Sequence, residues 1–275
     1  MEHRREHPTP VTSQQDLLAG LDAAVEELLQ DGIAALGFGI PSPIDQRTGR
    51  AQQAVNIPLD DSIDFRGRMA ERFALPVGIE NDANAAAYAE FNSGAGREAE
   101  TMVMLTLGTG CGGGVVIDRK LFRGWAEFGH MVIEYDGLPC QGTCTGRGHL
   151  EPYVTGVAAT KLAQEAFGPA VDSHRLVRLA AEGEERAVEI LAGIGRRLGA
   201  GIASLVNIFD PDMVVIGGGF AAAGDFLLDP AREVMRRDTL APDGGRVKIV
   251  RAELGTAAGL IGAALVAFDA SDQGH

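Results

Sequence analysis

His130, Cys140, Cys144 and His149 occur in the order H-x9-C-x3-C-x4-H. Two imidazoles and two thiolates are a set that tetrahedral Zn2+ accepts, and the cysteines sit in a glycine-rich stretch able to wrap an ion. Taken singly, each is equally well an ordinary surface or core residue, and Cys140 could instead form a disulfide with Cys144 in an oxidising compartment. Ahead of this set, Leu107-Gly108-Thr109-Gly110 runs into Gly112-Gly113-Gly114. A backbone so bare lets N–H groups approach a phosphate, with the Thr109 hydroxyl as a further donor; a plain hairpin turn is the alternative. Further upstream stands Glu80-Asn81-Asp82. There Asp82, kept ionised by a helix N-terminus, could take a proton from a substrate hydroxyl, or it could simply cap the helix. Asn81 offers a donor and an acceptor to a polyol. Glu127 and Glu151 flank the cysteine loop as sugar-hydroxyl partners or solvated acids. Gly217-Gly218-Gly219 suits close approach to a nucleotide or a tight turn between strand and helix.

The elements that must position these groups alternate between apolar strands and helices. Residues 1–15 read as a strand remnant and a turn. Leu17, Leu18, Leu21, Val25, Leu28 and Leu29 fall on one face of a helix over residues 16–30. Residues 33–40 read as a buried strand stopped by Pro41, residues 64–73 as a short helix, 77–80 as a strand and 82–91 as an alanine-rich helix. Strands over 102–107 and 114–118 enclose the glycine turn. Helices follow over about 154–167, 173–181 and 184–208. In the last, Gly193, Gly195, Gly199 and Gly201 weaken the helix and so predict close packing against a neighbour. Strands at 213–216 and 247–252 and an apolar helix at 257–268 complete an α/β pattern. Asp82 then lies where a strand passes into a helix, the edge at which such sheets collect ligands.

Composition narrows the partners. The 275 residues carry 24 basic and 38 acidic side chains, a net charge of −14. That surface repels a nucleic-acid backbone, although backbone amides and a metal can still hold a nucleotide. With three cysteines, 45% hydrophobic residues, no secretory signature and no apolar run long enough for a membrane span, the expectation is a cytoplasmic protein without membrane or nucleic-acid partners.

Taken in order, GFGIPSPIDQRTGR with NIPL, VGIENDANAAAYAEF, LTLGTGCGGG, EFGHM, the cysteine loop and LVNIFDPDMVVIGGG resemble the ROK family of sugar kinases and related regulators from about residue 8 to the end. The resemblance implies an actin-like (ribonuclease H-like) ATPase fold of two α/β domains with the active site between them. Residues 1–106 with the helix at 257–275 would form the smaller domain, and 107–256 the larger one with the metal loop. It implies transfer of the ATP γ-phosphate to a hexose, most often glucose, with Mg2+ as the phosphate's counter-ion and a structural Zn2+. Asp82 would be the general base. Asn81, Asp82, Glu127, His130 and Glu151 would bind the sugar, with His130 also a ligand of the zinc beside Cys140, Cys144 and His149. Gly108, Thr109 and Gly110 would contact phosphate, and Gly217, Gly218 and Gly219 the adenosine side. Homo-oligomers are common in the family.

The sequence departs from the family pattern in places. The usual C-x-C-x4-C loop is C-x3-C-x4-H, the loop Arg123-Gly124-Trp125-Ala126 is short, and Ser42 stands where glycine is common. The Asp-x-Gly-Gly-Thr hairpin that forms the first phosphate loop and helps hold Mg2+ is absent, so the N-terminal domain is expected to be incomplete, with a sheet edge uncovered. Alternatives to the kinase are therefore an inactive sugar-binding protein and a sugar-responsive regulator, the latter opposed by the acidic charge and by the lack of a DNA-binding helix-turn-helix.

Overall fold

The structure, a computed structural model, describes residues 4–52, 54, 56–240 and 246–272. In chain order the elements are α1 (Gln14–Leu28), β1 (Leu36–Ile40), β2 (Ile44–Asp45), β3 (Arg50–Ala51), α2 (Phe65–Phe73), β4 (Val77–Asn81), α3 (Asp82–Ser93), β5 (Met102–Leu107), β6 (Cys111–Ile117) and β7 (Lys120–Leu121). They continue with α4 (Glu151–Val154), α5 (Gly156–Phe167), α6 (Ser173–Ala181), α7 (Glu185–Phe209), β8 (Met213–Gly217), α8 (Asp225–Asp238), β9 (Lys248–Arg251) and α9 (Ala258–Asp272). Internal contacts divide the chain into two compact units, residues 1–86 with 259–275 and residues 87–258. The first crossing falls inside α3, ahead of the 106–107 boundary drawn from sequence.

In the first unit β1 and β4 pair in parallel, from Leu36↔Val77 to Ile40↔Asn81. Every residue of β4 except the last is buried, whereas β1 buries only Ile40. Leu17 and Leu18 of α1 pack into one core with Phe65, Met69, Val77 and Ile79, and Phe38 meets the Phe65 ring edge-on at 5.2 Å. Arg68 donates to both carboxylate oxygens of Asp22, at 2.8 and 2.6 Å, tying α2 to α1. Helix α9 lies against the backbone of both strands. A Cβ at Gly37 would stand 1.9 Å from the Ala263 carbonyl, and one at Gly78 2.2 Å from the Val266 carbonyl. Glycine is required there because carbonyls occupy the space a side chain would need.

The second unit is built on a five-stranded sheet in the order β7-β6-β5-β8-β9. The β5, β8 and β9 strands are mutually parallel, while β5–β6 and β6–β7 are antiparallel. Strand β6 begins at Cys111, and Gly112, Gly113 and Gly114 pair with Thr106, Leu105 and Met104. The glycine turn is thus Gly108–Gly110 alone, shorter than the sequence reading, which began the strand at Gly114. At Gly113 the reason for glycine is crowding: a Cβ would lie 2.6 Å from both the Met104 carbonyl and the Phe128 ring. Val103, Leu105, Val214 and Ile216 are wholly buried in this core, each contributing about 1.5–3 kcal/mol of burial.

Helix α7 buries a stripe that includes Leu191, Ile194, Leu198 and Ile202. The packing expected of its glycines holds for Gly195 and Gly199, where a Cβ would stand 2.3 Å from the Leu227 carbonyl and 2.5 Å from the Ala231 carbonyl of α8. Gly201 faces Leu150 at 2.9 Å, but Gly193 meets nothing closer than 3.9 Å, so its expected contact is not there. Glu90, with no exposed surface, accepts from the amides of Ala95, Glu253 and Leu254 at 2.9, 3.1 and 2.8 Å, joining the end of α3 to the segment before α9. The helix expected from 154 starts at Glu151 and breaks at Thr155, whose hydroxyl caps α5 by accepting from the Ala158 amide.

Candidate active site

In the first unit, the backbone passes from β4 into α3 at Asn81 and Asp82. Asn81 performs the capping: its Oδ1 accepts from the amides of Ala83 and Asn84 at 2.9 and 3.1 Å. Its Nδ2 donates to the Ser42 carbonyl at 3.3 Å, which leaves one amide hydrogen for a ligand. The acceptor that the sequence assigned to a polyol is therefore used within the fold. Glu80, buried beneath, takes hydrogen bonds from the Asn81 amide, Asn84 and Gln46, and so fixes the turn. Because Asn81 is the cap, Asp82 is left at the first helical position, its Oδ1 2.8 Å from the Ala83 amide. Its side chain reaches solvent on one side, but the protein packed around it desolvates the ionised form and raises its pKa. The amides of Ala83 and of Asp82 itself pull the other way and do not win. Burial thus opposes the helix terminus at Asp82, and of the two its effect on the titration is the larger.

In the second unit, β5 delivers the turn Gly108–Gly110, with Thr109 exposed. A Cβ on Gly108 would meet nothing within 4 Å, whereas one on Gly110 would lie 2.8 Å from Oε2 of Glu151. That same oxygen accepts from the Cys111 amide at 2.8 Å. Glu151 is consequently no free solvated acid: the start of α4 is hydrogen-bonded to the residue that follows the turn. The Cys111 thiol is pushed up to about 12 by burial, with the charges of Glu151 and Glu127 adding to it. Glu127 is half-buried and immediately precedes a turn of 3-10 helix, Phe128–His130. It is preceded in turn by Ala126 at φ 47, a left-handed conformation uncommon for a residue with a side chain.

Next to the turn lies a cavity of about 780 Å³ whose walls include Gly108, Thr109, Gly156 and Gly219. Of the triple glycine, Gly219 reaches this wall. Gly217 and Gly218 are glycines for packing, since a Cβ would stand 2.7 Å from Met104 at the first and 2.3 Å from the Leu107 carbonyl at the second, where φ is 83. The sequence reading missed the remaining walls, among them Thr160, Lys161, Ser173, His174 and Arg178. The available signals were the N-caps Thr155 and Asp172, which bring the starts of α5 and α6 to it.

The four histidines and cysteines do converge. Their ligand atoms all lie within 4.8 Å of one another. Nδ1 of His130 is 3.2 Å from Nδ1 of His149, Cys140 Sγ is 3.7 Å from His130 Nδ1, and Cys144 Sγ is 3.7 Å from His149 Nδ1. Tetrahedral Zn2+, with bonds of about 2.3 Å to sulfur and about 2.05 Å to nitrogen, requires separations of roughly 3.3 Å (N to N) and 3.6 Å (S to N). The donor set fits that ion. Cys140 is free, and burial together with the neighbouring Cys144 pushes its thiol up to about 11, so a metal binding there must displace a proton. His130 turns Nδ1 to the cluster and keeps Nε2 for another partner.

A carboxylate at a helix start, a bare glycine turn beside a cavity of about 780 Å³, and a Cys2His2 cluster are carried on a chain of the actin-like ATPase fold. The chain matches the ROK family over residues 1–270 and belongs to it. It is 33% identical to a glucokinase of Streptomyces coelicolor over 94% of this chain and 87% of that protein. It shares 30% identity with a xylose repressor of Caldicellulosiruptor bescii, covering 75% of this chain and 55% of the repressor. A Streptomyces griseus ROK glucokinase solved with glucose and AMPPNP superposes with a TM-score of 0.79 at 33% identity, over 95% of this chain and 90% of the other. A Thermus thermophilus ROK hexokinase gives 0.81 at 35%, over 97% and 90%. Among the described residues no helix is long and apolar enough to cross a membrane.

Proposed function

We propose that the protein transfers the γ-phosphoryl group of ATP to a hydroxyl of a hexose, with glucose the first candidate. The observation that carries the reading is Asp82: Asn81 relieves it of the capping role, and partial burial raises its pKa toward that of a working base. In this reading Asp82 accepts the proton of the attacking sugar hydroxyl. The free amide hydrogen of Asn81, Glu127, Nε2 of His130 and Glu151 hold the hexose. The amides of Thr109 and Gly110 and the Thr109 hydroxyl face the transferred phosphoryl group, the Gly108 amide being held by the Gly110 carbonyl at 3.0 Å, and the cavity walled by Gly219 takes the adenosine. Mg2+ arriving with the nucleotide would supply charge neutralisation of its phosphates. His130, Cys140, Cys144 and His149 would hold Zn2+, which would fix the orientation of the His130 ring, and the chemistry left to the protein is positioning and charge stabilisation. The glucose- and AMPPNP-bound S. griseus relative supports the choice of ligands.

The test is a coupled ADP-release assay with glucose, ATP and Mg2+ beside Asp82→Asn. The expected result is turnover in the unsubstituted protein and a loss of about 10²- to 10⁴-fold in the variant. Equal rates in the two, or no turnover with any hexose, would overturn the reading. A second reading is sugar binding without transfer, since the chain also shares 30% identity with a xylose repressor. Calorimetry showing glucose binding in a protein that releases no ADP would establish it.

A further inference from the structure

Tyr153 is almost wholly buried, two residues beyond Glu151, and is not among the residues assigned to sugar, phosphate or metal. Its hydroxyl is nevertheless fully engaged. It donates to Oε2 of Glu134 at 2.7 Å and accepts from the Leu138 amide at 2.6 Å. The Arg197 guanidinium lies 5.5 Å over the ring, and the hydroxyl occupies the space that a side chain at Gly137 would need, since a Cβ there would stand 2.3 Å from it.

Leu138 is the base of the hairpin that carries the cysteines. Its carbonyl accepts from the Gly148 amide at 2.8 Å, Pro139 bridges to Arg147, and the Cys140 amide donates to the Gly146 carbonyl at 2.9 Å. His149 follows directly and bridges back to Val132, while the Leu150 amide donates to the Met131 carbonyl at 2.8 Å. One hydroxyl therefore grips the arm leading to Cys140 while its own helix continues from His149.

We propose that Tyr153 is a positioning residue for the metal: through Leu138 and Glu134 it sets the hairpin base, and with it the placement of Cys140 and Cys144 against His130 and His149. Partners beyond the ligands commonly change metal affinity by one to two orders of magnitude, because they hold the donors in the binding geometry before the ion arrives. The inference rests on the zinc reading above, and its test needs no turnover.

Zinc content and the Zn2+ dissociation constant, from competition with a chromophoric chelator, are to be compared for the unsubstituted protein, Tyr153→Phe, Glu134→Ala and Glu134→Gln. Tyr153→Phe keeps the ring and its packing and removes the hydroxyl. Glu134 is exposed, so its substitution leaves the core intact if the phenylalanine variant fails to fold. The expected result is one tightly held Zn2+ per chain, a dissociation constant raised about 10- to 100-fold in Tyr153→Phe, a smaller rise in Glu134→Ala, and little change in Glu134→Gln, whose amide oxygen still accepts. A protein that binds zinc with equal affinity in all four forms would overturn the role of Tyr153 and leave the metal reading standing. An unsubstituted protein that takes up no zinc would overturn the metal reading, and the proposal with it.

Discussion

Asp82 illustrates how one neighbour changes what a residue can do. The sequence offers two uses for it, cap or base, and the pattern of residues does not decide between them. In the structure the cap is Asn81, whose side-chain oxygen takes the amides of Ala83 and Asn84, and Asp82 is relieved of that use. The raised pKa of Asp82 fixes the direction of the pH response. The base must be ionised, so kcat/KM is expected to fall as pH drops through a value above the ordinary aspartate range. Stability runs oppositely, because the fold binds the proton more tightly than the unfolded chain and gains as pH falls through the same value. A pH–rate profile that levels off only below the ordinary aspartate value would contradict this. Glu151 supplies a second residue-scale expectation. Glu151→Ala deletes the acceptor of the Cys111 amide beside the phosphate turn and should cost about 1.5–3 kcal/mol, read by urea denaturation. Sequence alone left Glu151 as a sugar-hydroxyl partner or a solvated acid and could not show its bond to the Cys111 amide, because that partner lies 40 residues away.

At the scale of elements, most strands and helices were legible from apolar periodicity and from turn residues, which act locally. The boundaries that moved are those set by partners distant in sequence. Gly112–Gly114 belong to β6 because β5 pairs with them, and nothing in a run of glycines announces that. The glycines of α7 make the point quantitatively. Gly195→Ala and Gly199→Ala drive a methyl into carbonyls of α8 and are expected to cost about 1–3 kcal/mol. Gly193→Ala meets open space and should gain up to about 1 kcal/mol from helix propensity. Thermal midpoints of the three single variants check both signs, and a stabilised Gly199→Ala would sink the packing argument. Glu90→Ala takes the shared acceptor from the amides of Ala95, Glu253 and Leu254 and should cost about 3 kcal/mol or more on the same scale.

For the molecule as a whole, the family and the metal cluster were legible because they are written as ordered motifs, whereas the cavity walls at Lys161, His174 and Arg178 were not, since helix faces carry no such spelling. The cluster predicts a dependence of the second unit on metal. Removal of zinc by a strong chelator should lower the thermal midpoint, and added Zn2+ should restore it; an unchanged midpoint would count against a structural ion. The arrangement of units along the chain has a consequence for how the protein is made. Helix α9, whose carbonyls press on Gly37 and Gly78, is translated after the entire second unit. At about 5–20 residues per second a ribosome takes on the order of ten seconds or more to travel from β4 to α9. During that interval the nascent β1 and β4 lack the helix that lies against their backbones, while the second unit already has all of its residues. The unit that holds β1 and β4 is therefore completed after the other, and its waiting strands are the part of the newborn chain that a chaperone has reason to shelter.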